Sequence, residues 1–287
     1  MSKRMLINYL LIILIIIFTW IGIKYPITED QMINRNAITT LKPKNITYIK
    51  IETADETIVL NKQGTSWKVI SPINWFANNI SAERIASLAG VEPQSKLPLD
   101  EIDISTLGLR IPKAVVTLNK KSIYFGDTNR IGNRRYLMAE PNVYLVSDIH
   151  YIFISQGLSG LLDNRLLPSQ LDLIELKFSA FSVNKSGPAW STDTTGKSPQ
   201  AAAQLVTNWR QKQASIKPYD KTLNPLQKIK ARLQSGEEIE FFVLSIKPEI
   251  IIARPDLNIQ YHFPDHQYYE LLSLDKINQP TEPVTIK

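Results

Sequence analysis

The stretch LINYLLIILIIIFTWIGI, residues Leu6–Ile23, divides this chain of 287 residues into a short apolar segment and a long soluble one. Its eighteen residues would span roughly 27 Å as a helix, close to the ~30 Å hydrocarbon core of a bilayer. The stretch therefore predicts a transmembrane helix at 6–23. We expect its membrane anchor to comprise Leu10, Leu11, Ile12, Ile13, Leu14, Ile15, Ile16, Ile17, Phe18 and Trp20.

Charges flanking this segment indicate its orientation. Lys3 and Arg4 precede it, and Lys24 and Arg35 follow it, so the positive-inside bias is slight. A short basic tail before a first helix usually stays in the cytoplasm, which predicts a cytoplasmic tail at 1–5 and an external main domain. Two alternatives stay open: a cleaved signal peptide, although no pair of small residues follows the apolar run, and a buried globular helix.

Composition limits the classes of protein that the remainder can be. Hydrophobic residues make up 44% and charged residues 21% of the chain, which is enough for a packed core. The formal net charge of +6 is moderate and does not by itself predict a nucleic-acid partner. The chain has no cysteine, so disulfides and thiol chemistry are excluded.

The order of apolar patterns along the chain predicts an α+β fold. Prolines and a lack of periodicity predict a linker at 24–45. Alternating strands surround a helix from Asn78 to Val91, capped by Asn79 or Ser81, and Asp148 is expected to cap a further short helix. These elements form a first α+β unit at 46–168.

A similar succession of strands and helix follows at 169–275. Trp67 corresponds to Trp190 at an offset of 123 residues (190 − 67), and Pro141 to Pro255 at 114 (255 − 141). The shared order and similar offsets predict two related units, each an antiparallel sheet with helices. The remaining residues, 276–287, contain two prolines and are predicted to be a disordered tail.

For one hairpin of the second unit, the sequence predicts which residues of the two strands lie opposite each other. A three-residue loop at 234–236, with Gly236 left-handed, places Arg232 opposite Glu238 and Lys230 opposite Glu240. The basic row on this strand, Lys228, Lys230 and Arg232, is then a solvated outer face that carries ion pairs. The alternative is an anionic-ligand surface for headgroups or an acidic partner, formed by Arg210, Lys212, Lys228, Lys230 and Arg232.

Short motifs predict no catalytic, cofactor or metal site. Gly196-Lys197-Ser198 lacks the first glycine of a phosphate-binding loop, and Ser198 followed by Pro199 is typical of a helix start. His262 and His266 are separated by Pro264, which prevents the continuous helix that a paired metal site at this spacing needs. We therefore expect no enzyme activity and no cofactor.

Several motifs of the first unit resemble domain-of-unknown-function family 4340, found in envelope proteins associated with gliding-motility-type ABC transport systems. The resemblance covers about residues 45–168 and rests on Trp67 through Pro72, on Leu107-Gly108-Leu109 leading to Pro112, and on Gly126-Asp127. We expect structural roles for Trp67, Pro72, Gly108, Leu109, Pro112 and Gly126.

The resemblance implies a single-pass protein of the bacterial inner membrane with a periplasmic domain. The expected function is non-catalytic docking or scaffolding, auxiliary to an ABC-type transport system, with a membrane-protein partner and no nucleic acid. The alternative is an extracytoplasmic binding module for lipid headgroups or envelope glycan, which would use the cleft between the two units and the basic segment Trp209–Arg232.

Overall fold

The computed structural model describes residues 12–15, 17–20, 24, 36–129 and 132–275. It is an α+β structure with one nine-stranded and one eight-stranded antiparallel sheet and short helices. The predicted tails at 1–5 and 276–287 lie outside the described residues, as does part of the predicted helix at 6–23, of which 12–15 and 17–20 are helical. In the described part of the chain, no helix combines the length and the apolar character that crossing a bilayer requires.

The first sheet has the strand order β4-β3-β2-β1-β6-β7-β8-β9-β5. Alternating burial along these strands places one row of side chains in the core and the other outside. Its strands are β1 (Tyr48–Thr53), β2 (Thr57–Gln63), β3 (Ser66–Ser71), β4 (Trp75–Phe76), β5 (Ser95–Pro98), β6 (Ala114–Leu118), β7 (Lys121–Asn129), β8 (Arg134–Ala139) and β9 (Asn142–Ser147).

The second sheet has the order β12-β11-β10-β14-β15-β16-β17-β13. Its strands are β10 (Leu173–Lys177), β11 (Ser182–Ser186), β12 (Ala189–Thr192), β13 (Ser215–Pro218), β14 (Gln227–Leu233), β15 (Glu238–Ser245), β16 (Glu249–Arg254) and β17 (Ile259–Pro264). The helices of the two units are α1 (Asn79–Ala86), α2 (Tyr151–Ser155), α3 (Gly157–Leu161), α4 (Pro199–Gln211) and α5 (Tyr268–Leu271).

The two sheets repeat one topology. Apart from the two-residue β4, each strand of the first sheet has a counterpart at the same place in the second, and α1 corresponds to α4. The turns also correspond: Gly64 and Gly187 have φ angles of +61° and +59°. The next strand then places Trp67 opposite Lys62 in one unit and Trp190 opposite Lys185 in the other. Trp67 is fully buried and Trp190 partly buried against the core.

Several predicted elements differ from the observed ones in extent. The helix predicted from Asn78 to Val91 ends at Ala86 and continues as a 3₁₀ turn over Ser87–Gly90. Its cap is Asn78, whose side chain accepts hydrogen bonds from the amides of Ile80 and Ser81, so the predicted caps Asn79 and Ser81 are wrong. Asn79 has another role, because its side-chain oxygen accepts a hydrogen bond from the Trp67 amide.

Two further predictions about local structure need correction. The short strand β13 is absent from the predicted elements, because its four residues include Lys217 and Pro218 and show no apolar run. Asp148 begins a 3₁₀ turn and makes no cap; its carboxylate instead pairs with the buried Arg135 at 2.6 Å. In contrast, Ser198 caps α4 as predicted, accepting a hydrogen bond from the Ala201 amide.

The described part of the predicted linker, residues 36–45, packs against the first unit. Ile38 is 2% exposed, and its amide donates to the carbonyl of Val91 at 3.0 Å. Thr39 is also buried and donates its hydroxyl hydrogen to the Ala89 carbonyl. The packed domain therefore extends further toward the N-terminus than the predicted boundary at 46.

Candidate functional site

The motif residues of the first unit fasten a loop across the outer face of its sheet. This loop, which we call the strap, comprises residues 99–112 between β5 and β6. Leu109 is buried with Met138 and Val143 of the sheet in a small second core. Partly buried side chains of the strap, Leu99, Ile102, Ile104 and Leu107, and of the sheet, Tyr124 and Tyr136, surround this core.

Two glycines permit the close approach of strap and sheet. Gly108 has a φ angle of +67°, and a Cβ there would lie 2.5 Å from a carboxylate oxygen of Asp127. A Cβ on Gly126 would lie 2.3 Å from the carbonyl oxygen of Leu107. A side chain at either position would therefore push the strap away from the sheet. Pro112 lies where the strap ends, two residues before β6.

Trp67 connects the first hairpin to helix α1. Its indole N–H donates to Glu83 at 2.8 Å, and Glu83 also pairs with Lys62 at 2.7 Å. Burial raises the pKa of the Glu83 carboxyl, but the hydrogen bonds from Lys62 and Trp67 more than offset this and hold its pKa below the ordinary value. Pro72 follows directly after β3. The contacts of Trp67 and Glu83 therefore hold the first hairpin and helix α1 together.

The five predicted anionic-ligand residues lie in two separate places. Arg210 and Lys212 are at the end of α4, which packs on the inner face of the second sheet through Trp209 and Phe241. Arg210 donates to the Leu171 carbonyl, and Lys212 pairs with a carboxylate oxygen of Glu270 at 2.5 Å. Helix α4 therefore does not bring its cations to the basic row of β14.

The basic row of β14 is on the outer face and is paired with carboxylates. The register is the predicted one: Arg232 lies opposite Glu238 and Lys230 opposite Glu240. Arg232 also contacts Glu175 of β10 at 3.1 Å. The hydrogen bond from Arg232, together with the charge of Lys230, holds the pKa of Glu238 below its ordinary value. Lys228 lies over the ring of Phe242, at 4.9 Å from the centroid.

A segment between the two units is hydrogen-bonded to both. The amide of Asp163 donates to Phe76 in the first unit, while the carbonyl of Asn164 accepts from Ala214 in the second. The amide of Leu167 then donates to the carbonyl of Trp209. Because its main chain is bonded on both sides, this segment joins the units through one continuous buried core.

The most deeply buried charge of the described residues lies at the same junction. Arg254 is 1% exposed and makes two hydrogen bonds to Asp256, at 2.9 and 2.7 Å. Its guanidinium lies over Trp75 of the first unit and Phe241 of the second, at 4.3 and 5.1 Å from the ring centroids. Nearby, burial raises the pKa of the Tyr261 phenol well above its ordinary value. Sequence patterns gave no signal for this cluster, because Trp75 comes from β4 of the first unit and the other members come from β15 to β17 of the second.

A polar cleft of about 330 Å³ also opens at the junction. The side chains that line it include no charged and no aromatic group in the described part of the chain. Its polar members are Asn78, Ser81, Gln156, Ser159, Asn164 and Ser215, contributed by both units and by the segment between them. Amides and hydroxyls of this kind suit a neutral ligand with many hydrogen-bonding groups.

The histidine spacing noted in the sequence brings no metal site together. His262 bonds to Glu249 through Nδ1 and to Gln260 through Nε2, each at 2.8 Å. The hydrogen bond to His262 is the main cause that lowers the pKa of Glu249. No group of three or more metal-binding side chains occurs among the described residues.

Comparison with protein families decides where this chain belongs. The model of a family described as a domain of unknown function, DUF4340, matches residues 67–238. The chain belongs to the DUF4340 family. The match extends from Trp67 in β3 to the first residue of β15, so the DUF4340 sequence crosses the junction and includes the strap. Neither a curated protein nor a solved structure matches the chain.

Proposed function

We propose that this DUF4340 protein is a membrane-anchored docking module without catalytic activity. The Leu6–Ile23 stretch would hold it in the bacterial inner membrane, with the N-terminus cytoplasmic and the main domain periplasmic. Its partner would be another membrane protein, and the resemblance noted above suggests a component of an ABC-type transport system. No nucleic acid is expected to take part.

The observation that carries this proposal is the role of the motif residues. Trp67, Gly108, Leu109 and Gly126 pack the strap, the hairpin and the helix together, and none has a side chain that acts as an acid, base or nucleophile. Because these motif residues have structural roles, they favour a scaffold that presents a fixed surface. The continuous core across both units supports the same reading, because a rigid body is suited to docking.

Purification of the full chain from native membranes in a mild detergent tests the proposal. We expect one membrane protein to coelute in a fixed ratio and to crosslink to the domain. The matched control keeps residues 1–35 and replaces the rest by an unrelated soluble domain, which must lose the partner. A chain that elutes alone under conditions that preserve known membrane complexes would contradict docking.

The predicted placement has its own test. Protease added to intact spheroplasts should digest the domain while cytosolic controls stay intact, and carbonate washing should leave the protein in the membrane fraction. Protection of the domain would refute the periplasmic location, and extraction by carbonate would refute the anchor.

A second candidate function is binding of envelope glycan, and the polar cleft favours it over headgroup binding at the β14 row. The cleft offers amides and hydroxyls, whereas the β14 row is occupied by Glu175, Glu238 and Glu240. Calorimetric titration with soluble glycan fragments of the envelope tests this. Ser159→Trp should abolish the binding by filling the cleft, whereas the exposed Ser155→Trp should not.

A further inference from the structure

Lysines are concentrated in two segments of the first unit that lack acidic residues. Residues 36–51 and 113–126 contain no aspartate or glutamate. Their lysines are Lys42, Lys44, Lys50, Lys113, Lys120 and Lys121. The structure places these segments side by side, because β1 and β6 pair along their whole lengths. The two paired segments together contribute six lysines and no carboxylate of their own.

Two of these lysines lie away from the others, near the middle and at the far end of the sheet. Lys50 contacts Glu52 at 2.7 Å, and Lys113 contacts Asp127 at 2.9 Å. The other four occupy the opposite end, where the 3₁₀ turn Pro43–Asn45 meets the turn between β6 and β7. We call Lys42, Lys44, Lys120 and Lys121 the lysine end.

Asn119 ties the two turns of the lysine end together. Its side-chain oxygen accepts hydrogen bonds from the amides of Thr47 and Tyr48, at 3.0 and 3.1 Å. Its side-chain nitrogen donates to the carbonyl of Asn45 at 3.0 Å. Asn119 has a φ angle of +52°, a conformation that asparagine adopts more readily than most residues. The spacing of the lysines is thus set by a rigid frame.

A basin of about 660 Å³ lies beside this frame. It is lined by Thr40, Leu41, Thr47, Tyr48, Asn119, Lys120 and Lys121. Lys120 is exposed, and Lys121 donates to the main-chain carbonyl of Glu140, a neutral acceptor, at 2.8 Å. Ammonium and hydroxyl groups around an open basin suit the phosphate of a lipid headgroup.

The membrane is within reach of this surface if the anchor is where the sequence predicts it. Residues 24–35 connect the predicted helix to Asn36 and, fully extended, span no more than about 40 Å. Lysines close to an anionic bilayer are attracted to its surface. Lysines gathered at one end of a tethered domain would therefore favour an orientation with that end toward the bilayer.

We propose that the lysine end docks on the anionic lipid headgroups of the membrane that anchors the chain. This inference rests on the proposed anchoring. The β14 row is the less suitable surface, because the carboxylates of Glu238 and Glu240 lie among its cations and would repel anionic headgroups. Docking at the lysine end fixes which faces of the domain point toward the periplasm and its partners.

Site-directed spin labelling tests the proposal on the full chain, which has no cysteine of its own. Asn45→Cys places a label at the lysine end, and Ser235→Cys places one on the exposed turn between β14 and β15. Each labelled chain is inserted in nanodiscs of phosphatidylcholine alone or with phosphatidylglycerol. The measurement is the collision rate of the label with nickel chelated to a lipid headgroup.

We expect the collision rate at position 45 to rise at least about threefold in anionic nanodiscs at low ionic strength and to fall back at high ionic strength. The label at position 235 should not respond. Lys120→Glu with Lys121→Glu should abolish the rise. Lys185→Glu with Lys228→Glu makes the same change in net charge on exposed residues of the second unit and should preserve it.

An equal collision rate in both kinds of nanodisc overturns the proposal. The proposal is also overturned if the collision rate at position 45 does not change with anionic lipid but falls when native membrane proteins are added. That result would favour an acidic protein partner. If the chain fails to enter nanodiscs, the anchor is refuted instead. Flotation with anionic vesicles then decides the lysine end separately: wild-type flotation that Lys120→Glu with Lys121→Glu abolishes supports it, and a chain that does not float overturns it.

Discussion

The guanidinium carbon of Arg254 lies 4.3 Å from the centroid of the Trp75 ring, so a cation of the second unit rests on an aromatic ring of the first. Asp256, which pairs with Arg254, is itself 56% exposed at its side chain. Arg254 therefore buries its apolar stem and the face of its guanidinium at the junction. The carboxylate of Asp256, which lies at the surface, balances its charge.

Loss of this contact should destabilise the whole domain. Arg254→Ala is expected to lower the free energy of unfolding by about 2–4 kcal/mol, because it leaves a cavity beside Trp75 and Phe241. The exposed Arg232→Ala, which removes a surface ion pair, should cost less than about 1 kcal/mol. Urea unfolding followed by tryptophan fluorescence measures both. Equal costs for the two variants would show that the junction contributes no special stability.

The packing of the strap requires glycine at Gly108 and at Gly126 for different reasons. Alanine substitutions at these two positions, with Gly236 outside the strap as the reference, separate the reasons. Gly236 has a φ angle of +89° and open space around it, so Gly236→Ala should cost about 1–2 kcal/mol of backbone strain alone. Gly126→Ala adds a contact with the strap without a positive φ and should cost about 1–3 kcal/mol. Gly108→Ala combines both and should cost the most. Chemical denaturation gives the three values, and a Gly108 variant no worse than the Gly236 variant would contradict the close packing of the strap.

The paired charges on the outer face of β14 should contribute little. A double-mutant cycle on Arg232 and Glu238, with alanine at each, should give a small favourable coupling energy that decreases with salt. The measurement is the free energy of unfolding at low and high ionic strength. A coupling energy near zero would contradict this prediction, because the charges would then add no stability although the strands keep the predicted register.

Acid should weaken the first unit through His150. Burial, with a smaller contribution from the charge of Arg84, lowers the pKa of His150 below its ordinary value. The unfolded chain then binds the proton more readily than the folded one, so stability is present above about pH 6.5 and is lost as the pH falls toward the folded pKa.

The matched variant His150→Gln keeps a polar group near Ser87, whose hydroxyl lies 3.2 Å from Nε2 of His150. Its Tm should fall less than that of the natural chain between pH 7.5 and pH 5.5, measured by differential scanning calorimetry. If both proteins lose the same number of degrees, protonation of His150 does not contribute to the acid response.

Local patterns predicted most strands, the cap of α4 and the register of the β14–β15 hairpin. They succeeded because alternation and turn chemistry act over a few residues, as at Gly236. They missed β5 and β13, which are too short and polar to show a pattern and exist because β9 and β17 pair with them. The predicted five-residue basic surface failed to assemble for a related reason: helix α4 and strand β14 present their cations on opposite sides of one sheet.

The sequence by itself predicted two similar α+β units, from the shared order of their elements and the similar offsets of Trp67 to Trp190 and of Pro141 to Pro255. It also identified Gly108 and Gly126 as structural residues. Only the tertiary structure decided what those glycines approach, that Arg254 joins the units, and that Lys44 and Lys120 share one end of a sheet. These relationships link residues about 20 to 180 positions apart, and burial and charge at such distances depend on how the sheets pack rather than on any local pattern.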